Sequence, residues 1–179
     1  LDVVTEAVLD SAKEAVALAV STLGIMAFWS GILEIGNGAG LIGQLSEKMK
    51  PVLKFLFPRL PGDHPACRQI SVNMIANMLG LGWAATPAGL KAMEELKRLE
   101  EERKKRGERG FAADTASNEM CTFLIINISS LQLIPITMIA YRSQYGSVDP
   151  AAVTGPALIA TAVSTAAAVI FCKIADKMK

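Results

Sequence analysis

The side chains of this sequence best placed to do chemistry are amides and hydroxyls set inside apolar runs. In "SVNMIANMLGLGWAATPAGLKAM", Asn73 and Asn77 stand one helical turn apart and are followed by Gly80, Gly82, Thr86, Pro87 and Gly89. Gly and Pro interrupt an apolar helix, and the backbone groups they free must be satisfied by protein, by a water-filled cavity or by a ligand. Broken helices of this kind aim half-helix ends at bound solutes in secondary transporters. A second polar break lies in "CTFLIINISSLQLIPITMIAYR", where Asn127, Ser129, Ser130 and Gln132 precede Pro135. Pro135 removes one backbone donor and predicts a kink at the polar run. The expected ligand-binding set is therefore Asn73, Asn77, Gly80, Gly82, Thr86, Asn127, Ser129, Ser130 and Gln132. The competing role for each Asn and Gly is helix-to-helix packing, and each hydroxyl can bond back to its own helix. Thr161, Ser164 and Thr165 share one side of the last apolar run and read as packing residues.

Amides and hydroxyls recognise solutes better than they move protons. The sequence has no G-x-S-x-G, no P-loop, no dinucleotide fingerprint and no cluster of metal ligands, and it contains a single histidine. Neither an enzyme, nor a cofactor, nor a metal site is expected.

The elements that must carry these residues are long and greasy. Residues 15–33, 69–90, 120–141 and 150–172 hold no charged side chain, and roughly 20 residues suffice for a helix to cross a bilayer. The chain is 51% hydrophobic and 20% charged, with a mean hydropathy of +0.37. A soluble bundle can hide one such run as its central helix, but four in 179 residues leave too little polar surface to solvate it. The expected fold is all-α: a multi-pass helical membrane protein, a single domain over residues 1–179, with a re-entrant helical hairpin and a Pro-kinked transmembrane helix.

Residues 91–110 contrast sharply, with eight basic and six acidic side chains. Glu94 with Arg98, Glu100 with Lys104 and Glu101 with Lys105 stand at i, i+4, the spacing of helix-surface pairs, so residues 91–113 read as a solvated cytoplasmic extension ending near Gly107 or Gly110. The interleaved acids would repel phosphate, and a net charge of +1 offers no field for nucleic acid. Within 41–57, Leu41, Leu45, Met49, Val52, Leu53 and Leu56 recur at three- and four-residue spacing opposite Lys48, Lys50 and Lys54. That pattern fits an amphipathic helix in the membrane interface, interrupted near Pro51, or equally one packed on a neighbouring helix.

Basic residues also orient the chain, since short loops rich in Lys and Arg stay cytoplasmic. Residues 91–110, the segment 34–66 and the tail after Cys172 should lie inside, and 142–149 outside. The segment 69–90 then enters and leaves by one face, as a re-entrant hairpin. Cys67, Cys121 and Cys172 read as small buried hydrophobes and not as a disulfide framework. His64 in "PGDHPA" reads as a turn residue, Glu34 as interfacial, and one of Asp114, Thr115, Ser117 or Asn118 as the cap of the following helix. Asp2, Glu6 and Asp10 oppose a signal peptide, and a chain starting at Leu1 is expected to have an upstream segment.

The strings "ANMLGLGWAATPAGLKAM", "DTASNEMCTFLIINISSLQLIP" and "YRSQYGSV", with the first forty residues, resemble the spore maturation protein A family, within the wider group named for a nucleoside recognition or gate domain. The resemblance implies a multi-pass protein of the bacterial inner membrane, with one further N-terminal transmembrane helix. It also implies work beside a spore maturation protein B-like membrane protein, in spore core dehydration. Relatives read "LGLGNAATP" or "LGLDNAATP" where this chain has Trp83, so a solute held by that asparagine would be lost or changed here. Transport follows from the gate name by analogy of fold alone.

Overall fold

The computed structural model describes residues 2–108, 114–129 and 131–177; the side chains of residues 2, 26, 29, 30, 33, 37, 42, 83 and 84 fall outside that description. Among the described residues all regular structure is helical: α1 (Asp2–Gly38), α2 (Leu41–Leu56), α3 (Pro65–Met78), α4 (Gly82–Lys105), α5 (Asn118–Ile128), α6 (Ile136–Gln144), a 3-10 turn (Pro150–Val153) and α7 (Thr154–Lys177). The contacts divide the chain into two units, Leu1–Ala39 and Gly40–Lys179. The first is α1, one unbroken helix that takes in the apolar run 15–33 and Glu34 and exposes Val16, Val20, Leu23 and Phe28.

The second unit is built around a helical hairpin. α3 starts at Pro65, whose missing N–H costs nothing at a first helical position, and His64 caps it by accepting from Ala66 N at 3.2 Å. It ends in a left-handed Gly80 (φ 76°), with Leu81 N donating to Ala76 O at 2.8 Å and Gly80 N to Asn77 O at 2.9 Å. This pair of bonds satisfies the last carbonyls and turns the chain back within three residues. α4 then runs antiparallel to α3, with Pro87 inside its first turns, and ends in the same way at Gly107 (φ 72°).

Three sequence readings need revision. Residues 91–105 are not a fully solvated extension, because they continue α4 and bury Ala92, Leu96 and Leu99 at three- and four-residue spacing; residues 109–113 of that extension lie outside the described residues. α2 is not interrupted at Pro51, which sits inside an unbroken helix; its Leu53 and Leu56 join the core, while Leu41, Leu45 and Phe55 stay exposed. The run 120–141 is not one kinked helix. It is two helices separated by residues 129–135, with Pro135 as the residue before α6.

The core of this unit gathers Leu53 and Phe57 beside α2, Ile70 of α3, Leu96 and Leu99 of α4, Phe123 and Ile126 of α5 and Ala168 of α7. Outside it, α7 exposes Ile159, Val163, Ile170 and Phe171. Among the described residues one helical stretch, Pro150–Lys177, is long and apolar enough to cross a membrane, and only 11% of its apolar window is buried. Cys172 is buried as expected, but Cys121 is exposed on α5.

Candidate functional site

The polar residues of the two breaks come together through a chain of amides. Asn77 Nδ2 donates to Asn127 Oδ1 at 2.7 Å and to Asn73 Oδ1 at 3.3 Å, and Asn73 Nδ2 donates to the Ala85 carbonyl at 3.0 Å. α3, α4 and α5 are thereby joined by neutral hydrogen bonds through residues almost closed to solvent: Asn73 is 2% exposed and Asn77 8%. The close approach of Asn73 to α4 depends on Gly89, where an added Cβ would lie 2.9 Å from Asn73 Nδ2. Within this amide network two side-chain groups remain uncommitted among the described residues: Asn77 Oδ1, which lies near Gly82, and Asn127 Nδ2.

The amides border two cavities. One, of about 200 Å³, is lined by Asn73, Asn77 and Asn127 with Gly82, Thr86, Met93 and Phe123. The other, of about 310 Å³, touches the same three asparagines, but its remaining wall is apolar apart from Thr165 and includes Met49, Met74, Met78 and Leu131. Among the described residues no charged side chain lines either one. Thr86 is held in place by donating to the Gly82 carbonyl at 3.3 Å.

The other expected residues serve the frame. Gly80 sits at the hairpin turn against the broken segment: a Cβ there would collide with the Ile134 carbonyl, and Leu133 N donates to the Met78 carbonyl at 2.8 Å. Ser129 bonds back to Ile126 O at 3.3 Å, and Gln132 contributes its backbone N–H, which donates to Thr161 Oγ1 at 3.2 Å. Neither residue lines either of these two cavities. Ser130 lies outside the described residues. Thr161 and Thr165 hold the non-helical segment, the latter by donating to the Ser129 carbonyl. They do more than pack, and their spacing of four on an apolar helix was the signal for it.

A second polar cluster had no counterpart in the sequence reading. Arg103 of α4 donates through Nη1 to Glu100 Oε1 at 2.5 Å and to Glu119 Oε1 at 3.0 Å, and through Nη2 to the Arg59 carbonyl at 2.7 Å. Arg59 reaches Glu119 and Asp176, each at 3.6 Å, and Asn118 Nδ2 donates to Asp176 Oδ1 at 3.0 Å. Burial works against the Arg103 charge, but the hydrogen bond to Glu100 and the pull of Glu119 outweigh it and raise its pKa above the ordinary guanidinium value. The second oxygens of Glu100 and Glu119 are buried and have no hydrogen-bond partner among the described residues. Beside Glu119 and Asp176 a void of about 10 Å³ has room for about one water. Ser117 caps α5 here, accepting from Met120 N at 3.3 Å.

Comparison with known proteins decides the family. Over 167 residues the chain is 41% identical to spore maturation protein A of Bacillus subtilis (strain 168), a match covering 93% of this chain and 80% of that protein. The chain belongs to the spore maturation protein A family. No family model matches it, and no solved structure matches it. For a spore maturation protein A relative, the position of residue 83 bears directly on the site: it is the second residue of α4, just past the turn at 79–81, with its side chain outside the description. Pro87 lacks an N–H, so the backbone carbonyl of residue 83 has no helical donor, close to where Gly82 and Thr86 line the smaller cavity.

Proposed function

We propose that this spore maturation protein A relative is a multi-pass protein of the bacterial inner membrane that acts in spore maturation. In this reading α3 and α4 form a re-entrant hairpin that meets the break at 129–135 within the membrane, as a polar gate and binding site for a small solute. The protein is then a transport component and not an enzyme, working with a spore maturation protein B-like membrane protein or with a second copy of itself. The bilayer is supported by the exposed apolar face of α7, which water would not tolerate over such a length. The gate rests on one observation: the amide chain Asn127–Asn77–Asn73 borders two cavities at once. Neutral amides exchange partners at little cost, because a hydrogen bond between membrane helices is worth only about 0.6 kcal/mol on average.

The test is flux into proteoliposomes, using a panel of labelled uncharged solutes that includes a nucleoside. Asn77→Ala and Asn127→Ala should leave a monodisperse, folded protein and abolish both flux and solute-dependent thermal stabilisation. Wild-type protein that neither passes nor is stabilised by any solute would instead support a non-transporting scaffold that recruits or regulates spore cortex maturation. One feature favours that scaffold, namely that the three amides largely satisfy one another and could serve as helix glue.

A further inference from the structure

The two cavities differ in polarity, and that difference narrows the solute. The smaller one is lined by Asn77, whose free side-chain oxygen lies near Gly82, together with Asn127 and Thr86. The larger one offers the same asparagines at one edge and otherwise apolar surface, in which Met49, Met74 and Met78 recur. A small polar solute gains nothing in the larger space, since it would shed water there without replacing its hydrogen bonds. A purely apolar one leaves the amides unanswered. A charged group fares worse, because among the described residues no side chain of opposite sign lines either space, and an unpaired charge at membrane depth is costly. At Phe55, on the wall of the larger cavity, Lys173 is already engaged, donating to the Phe55 carbonyl and lying over its ring.

Building on the proposed binding site, we propose that its solute is an uncharged amphiphile. Its polar end, carrying both a donor and an acceptor as a primary amide does, meets Asn77 and Asn127. Its alkyl part lies among Met49, Met74 and Met78. Three thioethers suit such a guest because unbranched, polarisable Met side chains repack around chains of differing shape. The rim of the larger cavity includes Val52 and Phe55, both exposed on α2 at 42% and 58%, so an alkyl chain can enter sideways from surrounding hydrocarbon.

The methionines themselves are the reporters. Peroxide converts Met to its sulfoxide at a rate that follows access, and peptide mass spectrometry resolves each site. Met49, Met74 and Met78 report on the larger cavity, Met93 on the smaller, and the exposed Met138 is the control. The full chain in phosphatidylcholine nanodiscs is oxidised with octanamide, octanoate, octylammonium or propionamide. Octanamide should slow oxidation of Met74, Met78 and Met93 at least threefold, leave Met138 unchanged, and lose this effect in Asn77→Ala. Octanoate and octylammonium should protect none of them. If propionamide protects Met93 while octanamide adds nothing at Met74 and Met78, the polar site stands and the amphiphile falls. Equal protection by octanoate overturns the requirement for neutrality. Protection by no compound removes the binding site together with the amphiphile.

Discussion

Along α4, five charged side chains meet around Arg103, whereas three uncharged amides meet around Asn77 nearer the start of the same helix. Each group has a buried heart, Glu100 and Glu119 in one and Asn73 and Asn77 in the other, both join α4 to α5, and they have opposite surroundings. Beside the charged group there is room for about one water, while the amides border about 200 Å³ and 310 Å³ of open space. The energetics explain the division. Removing one partner of a buried ion pair costs about 3–5 kcal/mol, so a charged cluster holds a single arrangement. Exchanging a neutral hydrogen bond costs a fraction of that. Charge fixes the fold at one place, and neutrality leaves the other free to accept a guest.

The contrast can be tested by substitution, in order of expected loss. Glu119→Ala strips Arg103 and Arg59 of a shared acceptor that is 4% exposed, and unfolding in mixed micelles should show about 3–5 kcal/mol lost. A loss below 1 kcal/mol would mean that the cluster does not lock the helices. Gly80→Ala forces a side chain into left-handed backbone and against the Ile134 carbonyl. The backbone alone should cost about 1–2 kcal/mol by the same assay, and the hydrogen exchange of Leu133 N–H should quicken as its bond to Met78 weakens. Asn77→Ala removes two neutral bonds and should cost only about 1 kcal/mol; a loss matching that of Glu119→Ala would erase the distinction between the clusters. Arg98→Ala breaks exposed pairs with Glu94 and Glu95 and should move stability by less than about 0.5 kcal/mol.

The amide cluster was legible in the sequence and the charged one was not, for a physical reason. Asn73 and Asn77 stand out because amides are conspicuous among apolar neighbours, and the i, i+4 spacing puts both on one face of α3; Asn127 announced itself in the same way. Glu119 and Arg103 sit among other acids and bases, where solvated surface is the ordinary reading. Their pairing with Arg59 and Asp176 spans distant parts of the chain, which no local spacing reveals. Glu100 shows the difficulty directly: its i, i+4 partner by pattern was Lys104, yet it pairs with Arg103 because that side chain also reaches Glu119. The broken helix was half legible. Pro135 indicated the interruption, but its seven-residue extent depends on Thr161 and Thr165 of α7, which bond the backbone that the break sets loose.

α4 is continuous from the carbonyl that receives Asn73 to the guanidinium that gathers the acids. Eighteen residues separate Ala85 from Arg103, about 27 Å of rod at the usual rise. One unbroken helix therefore sets the spacing between the amides and the ion cluster, so the two sites cannot shift along its axis independently.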